Sequence, residues 1–339
     1  MLEWISTGQM KSGRHRHKAS LLLNGKVLVT GGFDGSNYLN GAELYDPSNG
    51  QWTSTSNMSN ARIAHTATVL SNGHILVVGG HTSGGMIFDS AEIYNPTGGI
   101  WTTVNSMSSS RYGHTASKLL TGEVLICGGY GYSSATYRTC ELYNPSTGNW
   151  TLTTDMNVNR REHTATVLSN GLVLVAGGYS GASFVNTAEL YNRSSNTWTT
   201  TTTFTDNRHA HSMIKISDGK ILLTGGWNGA NYLKTTAIYN PSTQLWSMVN
   251  QMNQTREYFT ISLLSNGNVL VTGGYTSSST CLNQVEIYNP STDIWIDTAT
   301  MNYTRRYHTA TTLNNGQVLV TGGDNAASGY PTTAELFQL

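Results

Sequence analysis

The run Arg160-Arg161-Glu162-His163-Thr164-Ala165-Thr166-Val167-Leu168-Ser169-Asn170-Gly171-Leu172-Val173-Leu174-Val175-Ala176-Gly177-Gly178 reads as two strands and the turn between them. Arg160 to Leu168 is β-branched and apolar enough for a first strand. Asn170-Gly171 is a strong hairpin signal, because a two-residue type I′ turn needs positive φ at both central positions. Leu172 to Ala176 is an unbroken apolar run, as for a strand covered on both faces. Downstream, Thr187 to Asn192 alternates Ala188 and Leu190 with Glu189 and Tyr191, a third strand. A polar turn then leads to Trp198 in a Thr-rich fourth strand. No segment carries a helical period.

This frame recurs. Gly-Gly doublets stand at Gly31-Gly32, Gly79-Gly80, Gly128-Gly129, Gly177-Gly178, Gly225-Gly226, Gly273-Gly274 and Gly322-Gly323, 48 or 49 residues apart. Four short strands repeated at such a period predict a β-propeller. Trp52, Trp101, Trp150, Trp198, Trp246 and Trp295 close six repeats. The seventh stops at Phe337-Gln338-Leu339, while Leu2-Glu3-Trp4-Ile5-Ser6-Thr7 matches Gln51-Trp52-Thr53-Ser54. The expectation is an all-β, seven-bladed propeller of four-stranded antiparallel blades, one domain over 1–339. Residues 1–8 supply the outer strand of the last blade, which removes an exposed edge.

Composition narrows the function classes. The formal net charge is zero and 11% of residues are charged, which argues against nucleic-acid binding, since that needs clustered cations. No apolar run is long enough for a membrane span, and Met1-Leu2-Glu3-Trp4 lacks a signal-peptide pattern, leaving the compartment open. Three cysteines make no disulfide framework. Cys127 and Cys140 fall opposite each other on neighbouring strands, and free buried thiols are the simpler reading; Cys281 is placed in an exposed loop. Five Asn-x-Ser/Thr sequons, at Asn57, Asn149, Asn192, Asn253 and Asn302, are about what chance gives in so Asn- and Ser/Thr-rich a chain.

The stretch Gly31-Gly32-Phe33-Asp34-Gly35-Ser36-Asn37-Tyr38-Leu39-Asn40, followed by Glu43-Leu44-Tyr45-Asp46-Pro47 and Trp52, closely resembles the Kelch motif. Seven copies cover the whole chain. The resemblance implies an interaction module without naming a partner. It also implies that two loop positions line one rim of the central channel, as in Kelch propellers that bind peptides. After each doublet stand Phe33, His81, Tyr130, Tyr179, Trp227, Tyr275 and Asp324; after each repeat-opening Arg stand His15, Ile63, Tyr112, Arg161, His209, Glu257 and Arg306. The opening arginines are Arg14, Arg62, Arg111, Arg160, Arg208, Arg256 and Arg305.

A rim rich in Tyr, Trp and Arg has the composition of binding hot spots. The candidate surface is therefore Phe33, His81, Tyr130, Tyr179, Trp227 and Tyr275, with Arg161, Arg306 and the opening arginines supplying charge. Trp227 stands out as the Trp outside the outer-strand frame. The primary reading is a monomeric, non-catalytic scaffold for a protein or peptide, with no cofactor and no metal. The alternative is a binder of glycans or other small ligands, and a structural repeat of a larger surface protein is a third.

Two enzyme-like features are weighed against this. Copper radical oxidases resembling galactose oxidase carry a Kelch propeller with Tyr-His where Tyr307-His308 stand, and Tyr258 occupies the same position in the neighbouring repeat. The remaining matching positions are Arg16, Ala64, Gly113, Glu162 and Ala210, without the Cys that such an enzyme cross-links. His17, His65, His114, His163, His211 and His308 also recur at one position, with Phe259 in the sixth repeat; propeller packing spreads them around a wide ring rather than on one ion. The Glu of Ala-Glu-Leu-Tyr is missing from the fifth repeat, at Ala237. These paired exceptions predict that each His bonds the Glu of the preceding blade, from Glu43 with His65 to Glu335 with His17, and that Ala237 lies near Phe259.

Overall fold

The computed structural model describes residues 2–276, 280–325 and 329–338; Met1 and Leu339, the ends of the expected domain, lie outside them. Among the described residues the strands form seven four-stranded antiparallel sheets, six of them running in chain order from the innermost strand outward, and a two-stranded ribbon of Tyr275–Thr276 with Thr280–Cys281. The inner strands, Lys18–Leu21, Thr66–Val69, Thr115–Lys118, Thr164–Val167, Ser212–Lys215, Thr260–Leu263 and Thr309–Thr312, neighbour one another in a closed ring around the channel. The last sheet is completed by Glu3–Ser6, which pairs with Ala334–Gln338 in the register Trp4↔Phe337 and Ile5↔Leu336. The Trp4 indole N–H donates to the Ala299 carbonyl of the preceding blade at 2.8 Å, as Trp52 does to Gly8 at 2.9 Å. Trp101, Trp150, Trp198 and Trp295 repeat the contact, so an outer-strand tryptophan clips every blade but the fifth to its predecessor; there the Trp246 indole N–H is unpartnered among the described residues.

The core is a set of layers between blades. Second strands such as Val173–Ala176 are buried throughout. Their side chains alternate in direction: Val173 and Val175 pack with Leu125, Cys127 and Leu142 of the third blade, while Leu174 and Ala176 pack with Ile221 and Leu223 of the fifth. That is why these strands read as unbroken apolar runs. The hairpin before them differs from expectation. Gly171 has φ +85° but Asn170 is not in the left-handed region. Gly171 N–H donates to Leu168 O, and Leu168 N–H to Leu172 O. The loop is a three-residue type I turn with a G1 bulge rather than type I′, with Asn170 Oδ1 accepting from Leu172 N–H at 3.2 Å.

The opening arginines correct the sequence reading. Instead of supplying charge at the rim they are 0–2% exposed. Arg160 donates to Gly177 O at 2.8 Å, Thr187 O at 2.9 Å and Glu189 Oε1 at 2.9 Å, all in its own blade. Equivalent ion pairs join Arg14, Arg62, Arg111, Arg256 and Arg305 to Glu43, Glu92, Glu141, Glu286 and Glu335. Each Glu also accepts a backbone N–H from the loop that carries its Arg, as Glu189 does from Asn157 at 2.6 Å. In the fifth blade Asp206, two residues before Arg208, takes the place of the missing Glu at 3.3 Å.

The predicted His–Glu pairs are therefore absent, because the carboxylates are already committed. Each His spends Nε2 on a hydroxyl of the preceding blade: His65 on Thr30, His114 on Thr66, His163 on Thr115, His211 on Thr164, His308 on Thr260 and His17 on Thr309. Burial pushes His163 and His308 down to about 3, so these imidazoles are neutral. Phe259 keeps the packing, its ring lying against Gly225, while Thr224 and Thr236 hydrogen-bond each other instead. The lost Glu and the lost His have separate causes, and Ala237 and Phe259 belong to different core layers.

Cys127 and Cys140 are cross-strand partners 4.3 Å apart at Cα and form a disulfide, correcting the free-thiol reading. Cys281 is buried rather than exposed, its thiol donating to Asp324 O at 3.3 Å.

Two stability measurements follow. Trp4→Ala should cost about 2 kcal/mol for a half-buried indole, and deleting residues 2–8 should cost more; a deletion with the parent's urea midpoint overturns the closure. Glu189→Ala leaves Arg160 buried without a counter-charge and should cost about 3–5 kcal/mol. Asp206→Ala, removing a partly exposed carboxylate, should cost less in the same titration.

Candidate functional site

At one end of the channel the chain makes the same turn in each blade. Arg16, Ala64, Gly113, Glu162, Ala210, Tyr258 and Tyr307, the residues before the recurrent His or Phe259, sit at φ between 51° and 63°. Six are not glycine, and such backbone persists only where surroundings enforce it. Here a ring of hydrogen bonds does so. Arg16 N–H donates to Tyr307 O at 3.1 Å, Ala64 to Arg16 O, Gly113 to Ala64 O, Glu162 to Gly113 O, Ala210 to Glu162 O, Tyr258 to Ala210 O and Tyr307 to Tyr258 O. The circuit closes, and its side chains meet across the opening. The Tyr258 hydroxyl donates to Glu162 at 3.0 Å from two blades away, the Tyr258 and Tyr307 rings are 4.1 Å apart, and the Arg16 guanidinium lies 4.1 Å from the Tyr307 ring centre.

Around this ring the two predicted loop positions pair as β-bridges: His15 with Phe33, Ile63 with His81, Tyr112 with Tyr130, Arg161 with Tyr179, His209 with Trp227, Glu257 with Tyr275 and Arg306 with Asp324. The structure thus brings Phe33, His81, Tyr130, Tyr179, Trp227, Tyr275, Arg161 and Arg306 to one rim, each half-buried. Their rings make a closed circuit. From Phe33 it passes through Tyr38, His81, Tyr112 and Tyr130. Arg161 bridges Tyr130 and Tyr179 at 4.6 and 5.0 Å. Tyr179 then leads through Phe184, Trp227 and Tyr232 to Tyr275. Arg306 bridges Tyr275 and Tyr307, and His15 closes the circuit to Phe33. The opening arginines take no part.

Beside Trp227 the rim deepens into an open cavity of about 680 Å³, lined among others by Arg161, Tyr179, Phe184, His209 and Tyr258, with Glu162, Asn207 and Asn228 as polar groups. Sequence reasoning missed Glu162, Tyr258, Tyr307 and Arg16 as site residues, although the repeats disagree there as widely as at the rim. It also missed Tyr38, Phe184 and Tyr232, each five residues after its post-doublet residue, a spacing visible in the sequence.

Comparison with known proteins agrees with this geometry. Residues 3–232 match the family described as attractin/LZTR1 beta-propeller, and residues 216–253 and 262–302 match the Kelch motif. Kelch-like protein 24 of Rattus norvegicus and of Homo sapiens are each 51% identical over 43 residues, 13% of this chain and 7% of theirs. Kelch-like protein 6 of Homo sapiens is 49% identical over 45 residues, again 13% and 7%. These matches span a small fraction of the relatives' length. A solved structure described as a novel fungal alcohol oxidase of the AA5 family in complex with copper superposes with a TM-score of 0.81 at 16% identity, over 99% of this chain and 76% of that one. At that identity the likeness is one of fold.

The residues here do not fit copper. His308 uses Nε2 on Thr260 and Thr272, and among the described residues no three His, Cys, Asp or Glu side chains converge as metal ligands.

Glu257 carries a titration at the rim. Burial, and then repulsion from Glu162, push its carboxyl up to about 7 from 4.5, against the pull of Arg306 and Arg16. Between those values the folded chain holds a proton that the unfolded chain has lost, so this residue's contribution to stability falls as pH rises through that window. Glu257→Gln removes the group and should be more stable than the parent at pH 8 by about 1–3 kcal/mol. The two should converge below about pH 4 in urea titrations, and a difference independent of pH contradicts the assignment.

Proposed function

For this chain, which belongs to the attractin/LZTR1 β-propeller family, we propose a monomeric, non-catalytic binding module that takes a protein or peptide segment on the rim at the channel mouth. The observation that carries this is the closed circuit of rings, imidazoles and guanidinium groups held half-open on a hydrogen-bonded rim. Aromatic and Arg side chains that surround a concavity have the make-up of interface hot spots. Among the described residues no carboxylate pairs with Arg161, which stacks between Tyr130 and Tyr179, whereas Arg306 is paired with Asp324 at 2.8 Å. Arg161 thus offers its donors to an incoming acceptor. The rim residues differ from blade to blade on a backbone that does not, which is how a repeat fold encodes one partner.

A second reading rests on the cavity beside Trp227. An indole face near Tyr179, Asn207 and Asn228 also suits the apolar face and hydroxyls of a sugar. The two readings separate when the purified chain is screened against a random peptide library and a glycan array, with Trp227→Ala as the control. The proposal expects selected peptides whose binding weakens by about 2 kcal/mol or more in Trp227→Ala, with an unchanged thermal transition. Glycan hits lost in Trp227→Ala favour the second reading. Peptides that bind the variant equally well overturn the rim assignment.

A further inference from the structure

Inside the mouth the channel holds charges that the rim does not use. Arg16 and Lys18 stand two residues apart at the head of the first blade's inner strand, and both line a cavity of about 280 Å³ within the ring. His17 between them turns to the last blade, bonding Thr309 and Thr321. The first blade is unlike the others here. The Lys18 position is Thr or Ser in each of the other six, from Thr66 to Thr309, and the Arg16 position is Ala in the second and fifth. One blade therefore sets two cations into a wall that elsewhere carries imidazoles, Glu162, Tyr258, Phe259 and Tyr307 beside the small Ala64 and Gly113.

Neither cation has a counter-charge in contact. The Arg16 guanidinium rests over the Tyr307 ring, and among the described residues neither Arg16 nor Lys18 forms an ion pair. The carboxylate lining this cavity is Glu162, which already accepts from Tyr258 and has His209 Nδ1 at 3.3 Å. The imidazoles in the wall are neutral because burial lowers their pKa. Burial also lowers Lys18, as for an ammonium without a partner. The cavity thus holds two cations against one carboxylate, in a confined space that focuses their field. It adjoins the cavity beside Trp227, with which it shares Glu162 and Tyr258.

We propose that the channel throat is a binding site for one small free oxyanion of the carboxylate or phosphate class, held by the fork of the Arg16 guanidinium and the point charge of Lys18. Arg gives directional donors and Lys a compact charge, the usual division of labour at oxyanions. This assignment stands whether or not the rim takes a peptide.

The test is calorimetric titration and thermal unfolding with inorganic phosphate and with acetate, at constant ionic strength set by chloride. Lys18→Thr and Arg16→Ala install residues that other blades carry on the same backbone, so the fold is expected to tolerate them. The proposal expects saturable binding of at least one of the two anions, weakened at least about tenfold in each variant and kept within about threefold in Lys18→Arg. The more strongly bound anion identifies the class. Absence of saturable binding by both anions, or equal binding in the Arg16→Ala/Lys18→Thr double variant, overturns it.

Discussion

Each blade is assembled around the buried opening arginine, which serves two blades at once. Its guanidinium gathers the end of the second strand, the loop before the third and, in all but the fifth blade, the Glu on the third strand of its own blade. Its backbone carbonyl accepts the N–H of the second glycine of the preceding doublet: Gly32 to Arg62 at 3.0 Å, Gly80 to Arg111 at 2.9 Å, and so on to Gly323 and Arg14 at 2.8 Å. The close approach explains the doublet. A Cβ on Gly31 would lie 2.5 Å from the Arg62 carbonyl oxygen and 2.8 Å from His65 Cε1, and both glycines have positive φ. A buried cation is costly alone, so Arg, Glu and Gly-Gly come as a set.

That set makes the geometry of the channel mouth independent of what is displayed there. The seven left-handed residues are held by blade-to-blade hydrogen bonds, and their side chains are free to be Arg, Ala, Gly, Glu or Tyr. The rim loops hang from the same hub, since the residue after each opening Arg bridges the residue after each doublet. The mouth is held open by the layers between blades together with the ring of blade-to-blade hydrogen bonds. A rigid aromatic surface can then be presented half-exposed at little entropic loss, the condition under which rings contribute most to binding.

The departures from the repeat show which parts of the set are chemical and which are steric. The fifth blade keeps its Arg by recruiting Asp206 from the adjoining loop, so what the site demands is a carboxylate, not a particular strand position. The sixth blade keeps ring packing on Gly225 with Phe259 and gives up the hydrogen bond, so shape outweighs the imidazole nitrogen there. Both repairs are local, as expected where the core layers join only neighbouring blades.

The sequence by itself determined the architecture: the period, the apolar second strands, the missing seventh Trp and its surrogate Trp4 are one-dimensional signals with one three-dimensional solution. It also marked the rim, because the two variable positions flank invariant ones. Only the tertiary structure decided the role of the polar residues. Seven identical arginines read as rim charge, and burial is a property of what packs across the blade, which no local pattern records. The His and Glu exceptions looked coupled because they fall in consecutive repeats, yet the carboxylate was already spent on an Arg some 30 residues upstream. Arg16, Lys18 and Glu162 likewise share a cavity because closing the ring brings blades one and four to a common axis, a proximity that the chain's linear order does not encode.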